Sequence, residues 1–218
     1  MAKKTAKRLG ILTGGGDTCA LNGSIETIKN MAHVLGYEVY GIRFGWKGLL
    51  GKGDMINLSK LPIDGWRGGS ILYSSRTNPF KVKTTKGVAD KSKEVMQNIK
   101  RYGLDLIISI GGDDTNGAAK ALFEKYGIPV IGFPKTIDND LRTRTTHKYR
   151  GKKIEAGLCP GFPTAAKVVR DVAKQLRTTA DTHKRAFVVE IMGRDAGWLV
   201  GSAAHGGAEV VLVPEIVI

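Results

Sequence analysis

Apolar residues fall along this chain in short runs, and most of the runs stop at glycine. Arg8 to Thr13 reads as a short strand that ends at Gly14-Gly15-Gly16-Asp17. A helix then opens at Leu21-Asn22-Gly23-Ser24-Ile25-Glu26 and runs to about Leu35. Glu38 to Phe44 reads as a second strand, and Gly45-Trp46-Lys47-Gly48 as a turn in which Trp46 is a core or rim residue rather than a ligand-facing one. Lys91 to Tyr102 has helical character. Leu104 to Ile110 is a continuous apolar run broken only by Asp105, as expected of a central parallel strand. It ends in Gly111-Gly112-Asp113-Asp114-Thr115-Asn116-Gly117, and a helix follows to about Tyr126. Ile128 to Phe133 is another buried-looking run. Farther on, Ala166, Val169, Val172, Ala173 and Leu176 recur at three- and four-residue steps, which predicts an amphipathic helix over Thr164 to Thr179. Ala186 to Ile191 and Glu209 to Val213 read as strands, with a small-residue helix between them after Trp198. Strand, glycine turn and helix recur, which predicts an α/β architecture.

Strand, glycine turn and helix is also the arrangement that receives phosphate, because glycine lets backbone amides approach an anion and a helix N-terminus favours negative charge. Gly14-Gly15-Gly16 is neither GxGxxG nor a P-loop, and a tight strand-to-helix turn accounts for it equally well. At Gly111-Gly112 two carboxylates follow at once. They would repel a phosphate, so Mg²⁺ is the natural mediator. Asp114 has the plainer reading of a helix cap. Arg76 lies among small polar residues in Tyr73-Ser74-Ser75-Arg76-Thr77-Asn78-Pro79, where a guanidinium can fork onto phosphate oxygens or simply stand in solvent.

The densest chemistry lies in Pro134-Lys135-Thr136-Ile137-Asp138-Asn139-Asp140, which leaves the end of a predicted strand. That edge is where open α/β sheets bind ligands. If the stretch is extended, Thr136, Asp138 and Asp140 point one way. Two close carboxylates raise each other's pKa unless a cation lies nearby, and such a cluster suits proton removal beside a metal-bound phosphate. A polar surface turn is the plain alternative.

Composition narrows the field without choosing within it. The chain has 218 residues, 42% of them hydrophobic and 25% charged, enough to bury a sizeable core. Its net charge of +14 favours anionic partners such as phosphorylated metabolites or nucleic acid. Much of that charge sits in Arg142, Arg144, Lys148, Arg150, Lys152 and Lys153, a stretch without clear periodicity that reads as an exposed loop. Cys19 and Cys159 form no CxxC and no ligand-like cluster, which points to a reducing cytoplasm rather than a disulfide scaffold. The basic start, Met1 to Arg8, lacks the apolar core of a signal peptide, and no run approaches the length of a membrane span.

Taken together and in order, Gly14-Gly15-Gly16-Asp17 with Leu21-Asn22, Gly111-Gly112-Asp113, Pro134 to Asp140, Met192-Gly193-Arg194 and Pro214-Glu215 resemble the phosphofructokinases over nearly the whole chain. The resemblance implies an α/β fold of two three-layer lobes with mainly parallel sheets and an active site in the cleft between them. Residues 1–140 would form the lobe that binds the phosphoryl donor, 141–160 a basic connecting loop, and 161–218 a sugar-phosphate lobe that is incomplete. The implied reaction is Mg²⁺-dependent phosphoryl transfer to the 1-hydroxyl of fructose 6-phosphate, in glycolysis or gluconeogenesis, by a cytoplasmic homo-oligomer. Carried over by position, Asp138 looks like the base, with Asp140 and Thr136 beside it. Asp113 looks like the Mg²⁺ residue. Gly15, with Gly14, Gly16 and Gly112 around it, looks like the meeting point for the donor's phosphates, and Arg76 resembles an arginine near both phosphates. Thr136, Ile137, Met192, Gly193, Arg194 and Glu215 resemble sugar-phosphate contacts, and Arg185 one that reaches a neighbouring subunit.

In this family an Asp after Gly-Gly-Asp and a Lys before Thr-Ile-Asp mark users of pyrophosphate, where ATP-using bacterial relatives carry glycine at both places. Asp114 and Lys135 are that pair, so pyrophosphate is the expected donor. Three features depart from the family pattern. Thr18-Cys19-Ala20 stands where a proline or glycine is usual, the basic stretch is long, and the chain stops just after Glu215, short of an arginine and a histidine for the 6-phosphate. The alternatives are an ATP-dependent enzyme, a non-catalytic subunit of the same family, another glycine-rich kinase such as the NAD or diacylglycerol kinases, and a nucleic-acid binder. The last lacks any aromatic-interleaved basic motif.

Overall fold

The computed structural model of the chain describes residues 6–141, 146–149, 152–155 and 157–216. Met1 to Thr5, Arg142, Arg144 and Arg150 lie outside the described residues. The chain divides into two compact units, Met1–Lys135 and Thr136–Ile218.

The first unit is built on a five-stranded sheet. Its strands are β1 (Lys7–Thr13), β2 (Tyr37–Ile42), β3 (Met55–Asn57), β6 (Leu106–Gly111) and β7 (Val130–Pro134), in the order β3-β2-β1-β6-β7. All neighbours pair in parallel except β3, which runs antiparallel on the edge. Side chains alternate across β1: Leu9 and Ile11 face one layer and Leu12 the other. Helix α1 (Leu21–Val34) presses Leu21 and Ile25 onto the first face. Helices α2 (Ser92–Tyr102) and α3 (Asp113–Tyr126) press Val95, Ile99, Ala118, Ala119 and Leu122 onto the second. The result is three layers, with the continuous apolar run of β6 buried at the centre as a parallel strand requires. Trp46, 1% exposed in the 3₁₀ turn Gly45–Leu49, is a core residue, and its indole N–H donates to the Thr115 carbonyl at 3.0 Å. A small antiparallel pair, β4 (Val82–Thr84) and β5 (Gly87–Ala89), stands apart from the main sheet.

Chain order fixes where the sheet of this unit has its switch point. From β1 the chain steps to β2 on one side and later returns to β6 on the other. The order therefore reverses at the C-terminal ends of β1 and β6, and such a switch point opens a crevice in parallel sheets. Gly14–Gly16 and Gly111–Asp113 are the residues that leave those two ends.

The second unit has different proportions. The basic stretch carries an antiparallel hairpin, β8 (Thr146–Tyr149) with β9 (Lys152–Glu155), where an irregular loop was expected. Helix α4 (Phe162–His183) starts after Gly161 with Pro163 in its first turn, where a missing N–H costs nothing. It is longer than its amphipathic stripe predicts, yet Phe162 alone of its residues is buried. A short helix, α5 (Trp198–Gly201), and the 3₁₀ turn Ala204–Gly206 follow.

Two expected strands are absent. Residues Ala186 to Ile191 and Glu209 to Val213 run without a strand partner among the described residues. Both have strand-forming composition, but a strand exists only with a neighbour to complete its hydrogen bonds. Their apolar side chains are correspondingly open: Val188 is fully exposed, and Val210 and Leu212 are largely so.

Candidate active site

Each unit gathers its own group of the residues singled out from the sequence. In the first unit the two glycine turns are locked side by side. The Gly14 N–H donates to the Ile110 carbonyl at 2.9 Å, and the Gly15 N–H to the Ser75 carbonyl at 3.2 Å. Ser74 Oγ donates back to the Gly15 carbonyl at 2.7 Å. The amides of Gly14 and Gly15 are thus engaged with protein. Gly15 takes φ of +81°, a conformation that disfavours other residues.

Between the turns stands Thr115, 6% exposed. A Cβ on Gly111 would lie 2.6 Å from Thr115 Cβ, and one on Gly14 would lie 2.7 Å from its Cγ2. Both positions are glycine because one threonine fills the space above each. The sequence reading missed Thr115 because its partners come from β1 and β6, far apart in the chain. A glycine at the end of each strand was the only visible trace.

Lys135 is 3% exposed, and its ammonium donates to the Gly16 carbonyl at 2.5 Å. Its backbone N–H is held by the Gly111 carbonyl at 3.0 Å, so one residue spans both turns. Burial holds its pKa below the ordinary lysine value; the nearby Asp17 carboxylate opposes that shift and Arg76 adds to it. Arg76 itself is exposed next to Ser75. Asp113 and Asp114 are exposed in the first turn of α3, which was expected to follow Gly117 and begins instead at Asp113. Acidic residues suit that end of the dipole, so the position has a structural reason too. Gly112 precedes them as the helix N-cap.

Asp113 and Asp114 are hard oxygen donors. No group of three His, Cys, Asp or Glu side chains gathers for a metal among the described residues. Mg²⁺ shared with substrate phosphates uses one or two carboxylates and not an all-protein cage, and this donor set fits that kind of site.

In the second unit, Thr136 to Leu141 forms a turn and not the extended strand on which a common direction for Thr136, Asp138 and Asp140 depended. Thr136 Oγ1 accepts the Asp138 N–H at 3.0 Å, and Asn139 adopts φ of 54°, which asparagine tolerates. The turn is tied to the residues ahead of α4. The Thr136 N–H donates to the Pro160 carbonyl at 3.3 Å, and Asn139 Oδ1 accepts the Cys159 N–H at 2.9 Å. The buried Cys159 thiol reaches the Leu141 carbonyl at 3.6 Å.

Asp138 is half-buried, and its Oδ1 is buried without a hydrogen-bond partner among the described residues. Burial raises its pKa; the neighbouring Asp140 charge raises it further, and Arg194 pulls the other way. Asp138, Asp140 and Arg194 therefore share one electrostatic neighbourhood. Arg194 is largely exposed and pairs with Asp195 at 2.7 Å. Glu215 is drawn to the same turn, with its Oε1 accepting the Gly197 N–H at 2.8 Å. Gly193 supplies φ of +135° there, and Met192 is largely exposed. Ile137 is half-buried within the turn. Arg185 stands outside this group: its N–H closes the end of α4 on the Ala180 carbonyl, and its side chain is exposed.

The first unit is thus a three-layer α/β unit with paired glycine turns at its switch point, and the unit that follows carries a carboxylate of raised proton affinity. The sequence pattern of the family "Phosphofructokinase" matches residues 8–218. The chain belongs to the phosphofructokinase family. It is 46% identical over 213 residues to a pyrophosphate–fructose 6-phosphate 1-phosphotransferase of Dictyoglomus thermophilum, a match that covers 96% of this chain and 56% of that one. It is 38% identical over 220 residues to ATP-dependent 6-phosphofructokinase 2 of Clostridium perfringens, again with 96% and 56% covered. The solved pyrophosphate-dependent phosphofructokinase of Marinobacter aquaeolei superimposes with a TM-score of 0.75 at 23% identity, over 96% of this chain and 53% of that one. The chain thus spans little more than half the length of these relatives. No helix among the described residues is long and apolar enough to cross a membrane.

Proposed function

We propose that the chain carries the machinery for reversible phosphoryl transfer from pyrophosphate to the 1-hydroxyl of fructose 6-phosphate, giving fructose 1,6-bisphosphate. The observation that carries this reading is Asp138, a half-buried carboxylate with an unpartnered oxygen and a raised pKa. A general base needs a proton affinity closer to working pH than a free carboxylate has. Asp138 accepts the hydroxyl proton, while Thr136 holds its backbone and Asp140 keeps its proton affinity up. Asp113 holds Mg²⁺, which offsets the charge of the donor's phosphates when bound. Gly14, Gly15, Gly16 and Gly112 form the surface those phosphates rest on, and Arg76 stabilises charge on the moving group.

Lys135 supports pyrophosphate as the donor: a buried cation at the glycine turns suits a compact, highly charged anion. Asp114 supports it from the head of α3, where bulk and negative charge oppose a nucleotide's inner phosphate. Ile137, Met192, Gly193, Arg194 and Glu215 contact the sugar phosphate, and Arg185 serves the site of a neighbouring copy in a homo-oligomer. Two free cysteines accord with a cytoplasmic setting.

The test is fructose 1,6-bisphosphate formation from fructose 6-phosphate and Mg²⁺, with pyrophosphate and ATP in parallel, and Asp138→Ala as control. Turnover with pyrophosphate that is lost in the control is the expected result. Turnover with ATP alone would overturn the donor, and undiminished turnover in Asp138→Ala would remove the base. The similarity to ATP-dependent relatives favours ATP as the second reading. Under the pyrophosphate reading, Asp114→Gly improves the use of ATP.

A further inference from the structure

Among the described residues, Phe44, Tyr73, Asn139 and Lys184 take left-handed backbone although none is glycine. Asparagine tolerates that conformation, and Lys184 closes the end of α4, where it is common. The two aromatics have neither excuse, and they are each other's neighbours. Phe44 at φ of 58° and Tyr73 at φ of 56° stack with ring centroids 4.9 Å apart and planes 14° apart. Neither is a core residue: Phe44 is 37% exposed and Tyr73 53%. Backbone strain of this kind persists where the surroundings hold it, and it gathers at functional sites.

The surroundings here are the first glycine turn. The Phe44 N–H donates to the Leu72 carbonyl at 2.8 Å, which ties the loop after β2 to the loop that carries Tyr73. Thr13 Oγ1, at the end of β1, donates to the Tyr73 carbonyl at 2.6 Å. Ser74 donates to the Gly15 carbonyl, and the Ser75 carbonyl accepts the Gly15 N–H. The Ser75 hydroxyl returns to the Phe44 carbonyl at 2.7 Å. Gly15 is therefore gripped through both its N–H and its carbonyl by the two residues between Tyr73 and Arg76. The stacked rings close the same circuit through side chains. We propose that Phe44 and Tyr73 are a positioning pair, which sets the Gly15 turn and the segment bearing Arg76 in the geometry that receives the donor's phosphates. This rests on the phosphate role given to Gly15 and Arg76 above, and not on which donor is used.

Tyr73→Asn and Phe44→Asn each remove one ring and leave a residue that tolerates left-handed backbone, so the fold is retained. Tyr73→Phe keeps the stack. The 218-residue chain and these variants are titrated with magnesium pyrophosphate and with magnesium ATP by calorimetry, assayed with both donors, and followed by amide hydrogen exchange in NMR. Each asparagine variant should raise the Kd and KM of the donor about tenfold, as loss of positioning does, and leave the KM for fructose 6-phosphate unchanged. The Gly15 and Phe44 amides should exchange about tenfold faster, while the Gly14 amide, held by β6, keeps its rate. The double variant should lose no more than either single one, because each already removes the stack. Tyr73→Phe should match the parent. Unchanged exchange at Gly15 and Phe44 in both asparagine variants would overturn the proposal. So would an unchanged donor Kd with a lower melting temperature, which would make the stack a stabilising contact only. A parent chain that binds neither donor would instead overturn the phosphate role of Gly15, and exchange would still decide whether the stack holds the turn.

Discussion

Helices α3 and α4 carry comparable apolar stripes and meet different fates. Thr115, Ala118, Ala119 and Leu122 of α3 are buried against the sheet, whereas α4, the longer of the two, buries only Phe162. The difference lies in what stands opposite. Strands β6 and β7 offer α3 a finished surface, while the segments beside α4 have no strand partners among the described residues. An amphipathic pattern states what a helix needs to bury; it does not state that its own chain supplies the cover.

The largest expected effect tests whether the Asp138 turn is kept for chemistry rather than stability. Asp138→Asn should lower turnover by roughly 10² to 10⁴, the usual contribution of a positioned base. The folded state binds the Asp138 proton more tightly than the unfolded state does, so this residue costs stability as pH rises above the ordinary carboxylate range. At neutral pH the asparagine variant should therefore melt no lower than the parent. A lower melting temperature would recast Asp138 as a structural residue.

Next comes the contrast between the helices. Leu122→Ala should cost about 2–5 kcal/mol in denaturant unfolding, and Val172→Ala within about 0.5 kcal/mol. Equal losses would break the comparison. Gly14→Ala should cost about 1–3 kcal/mol because the new methyl collides with Thr115. Combined with Thr115→Ala, most of that loss should return, and a double-mutant cycle measures the coupling.

The smallest effect lies on the first unit's surface. Asp90 is held at about 2, chiefly by the Ser92 hydroxyl and then by Lys125 at 2.9 Å. Its folded pKa is below the unfolded one, so its contribution is present above the ordinary carboxylate range and is lost as pH falls toward about 2. Asp90→Asn should be slightly less stable than the parent at pH 6 and indistinguishable from it below pH 2, as followed by thermal melts.

Sequence made the first unit readable because its main strands are apolar runs with clear stops, at glycine after β1 and within β6, at Arg43 after β2 and at Pro134-Lys135 after β7. The exceptions are informative. Strands β3, β4 and β5 are three-residue pieces with too few apolar positions to show a period. The strand composition of Ala186 to Ile191 was legible, but its missing neighbour was not, since pairing belongs to two segments and sequence displays one. Lys135 was legible as a charge; its burial over Gly16 was not, because that depends on β1 and β7 flanking β6. The acidic pair of the second unit was legible by spacing, whereas the anchor at Cys159 and Pro160 comes from a segment some twenty residues on.

That anchor makes the intervening stretch a self-closed detour. The chain departs at Thr136–Leu141 and returns at Cys159–Gly161, where hydrogen bonds from Thr136 to Pro160 and from Cys159 to Asn139 and Leu141 clasp its feet together. Doubling the length of a flexible loop costs only about 0.6 kcal/mol in closure entropy. The span is thus a natural insertion port. A reporter peptide or binding epitope grafted between the two feet would leave the hydrogen bonds that fasten the Thr136–Leu141 turn in place.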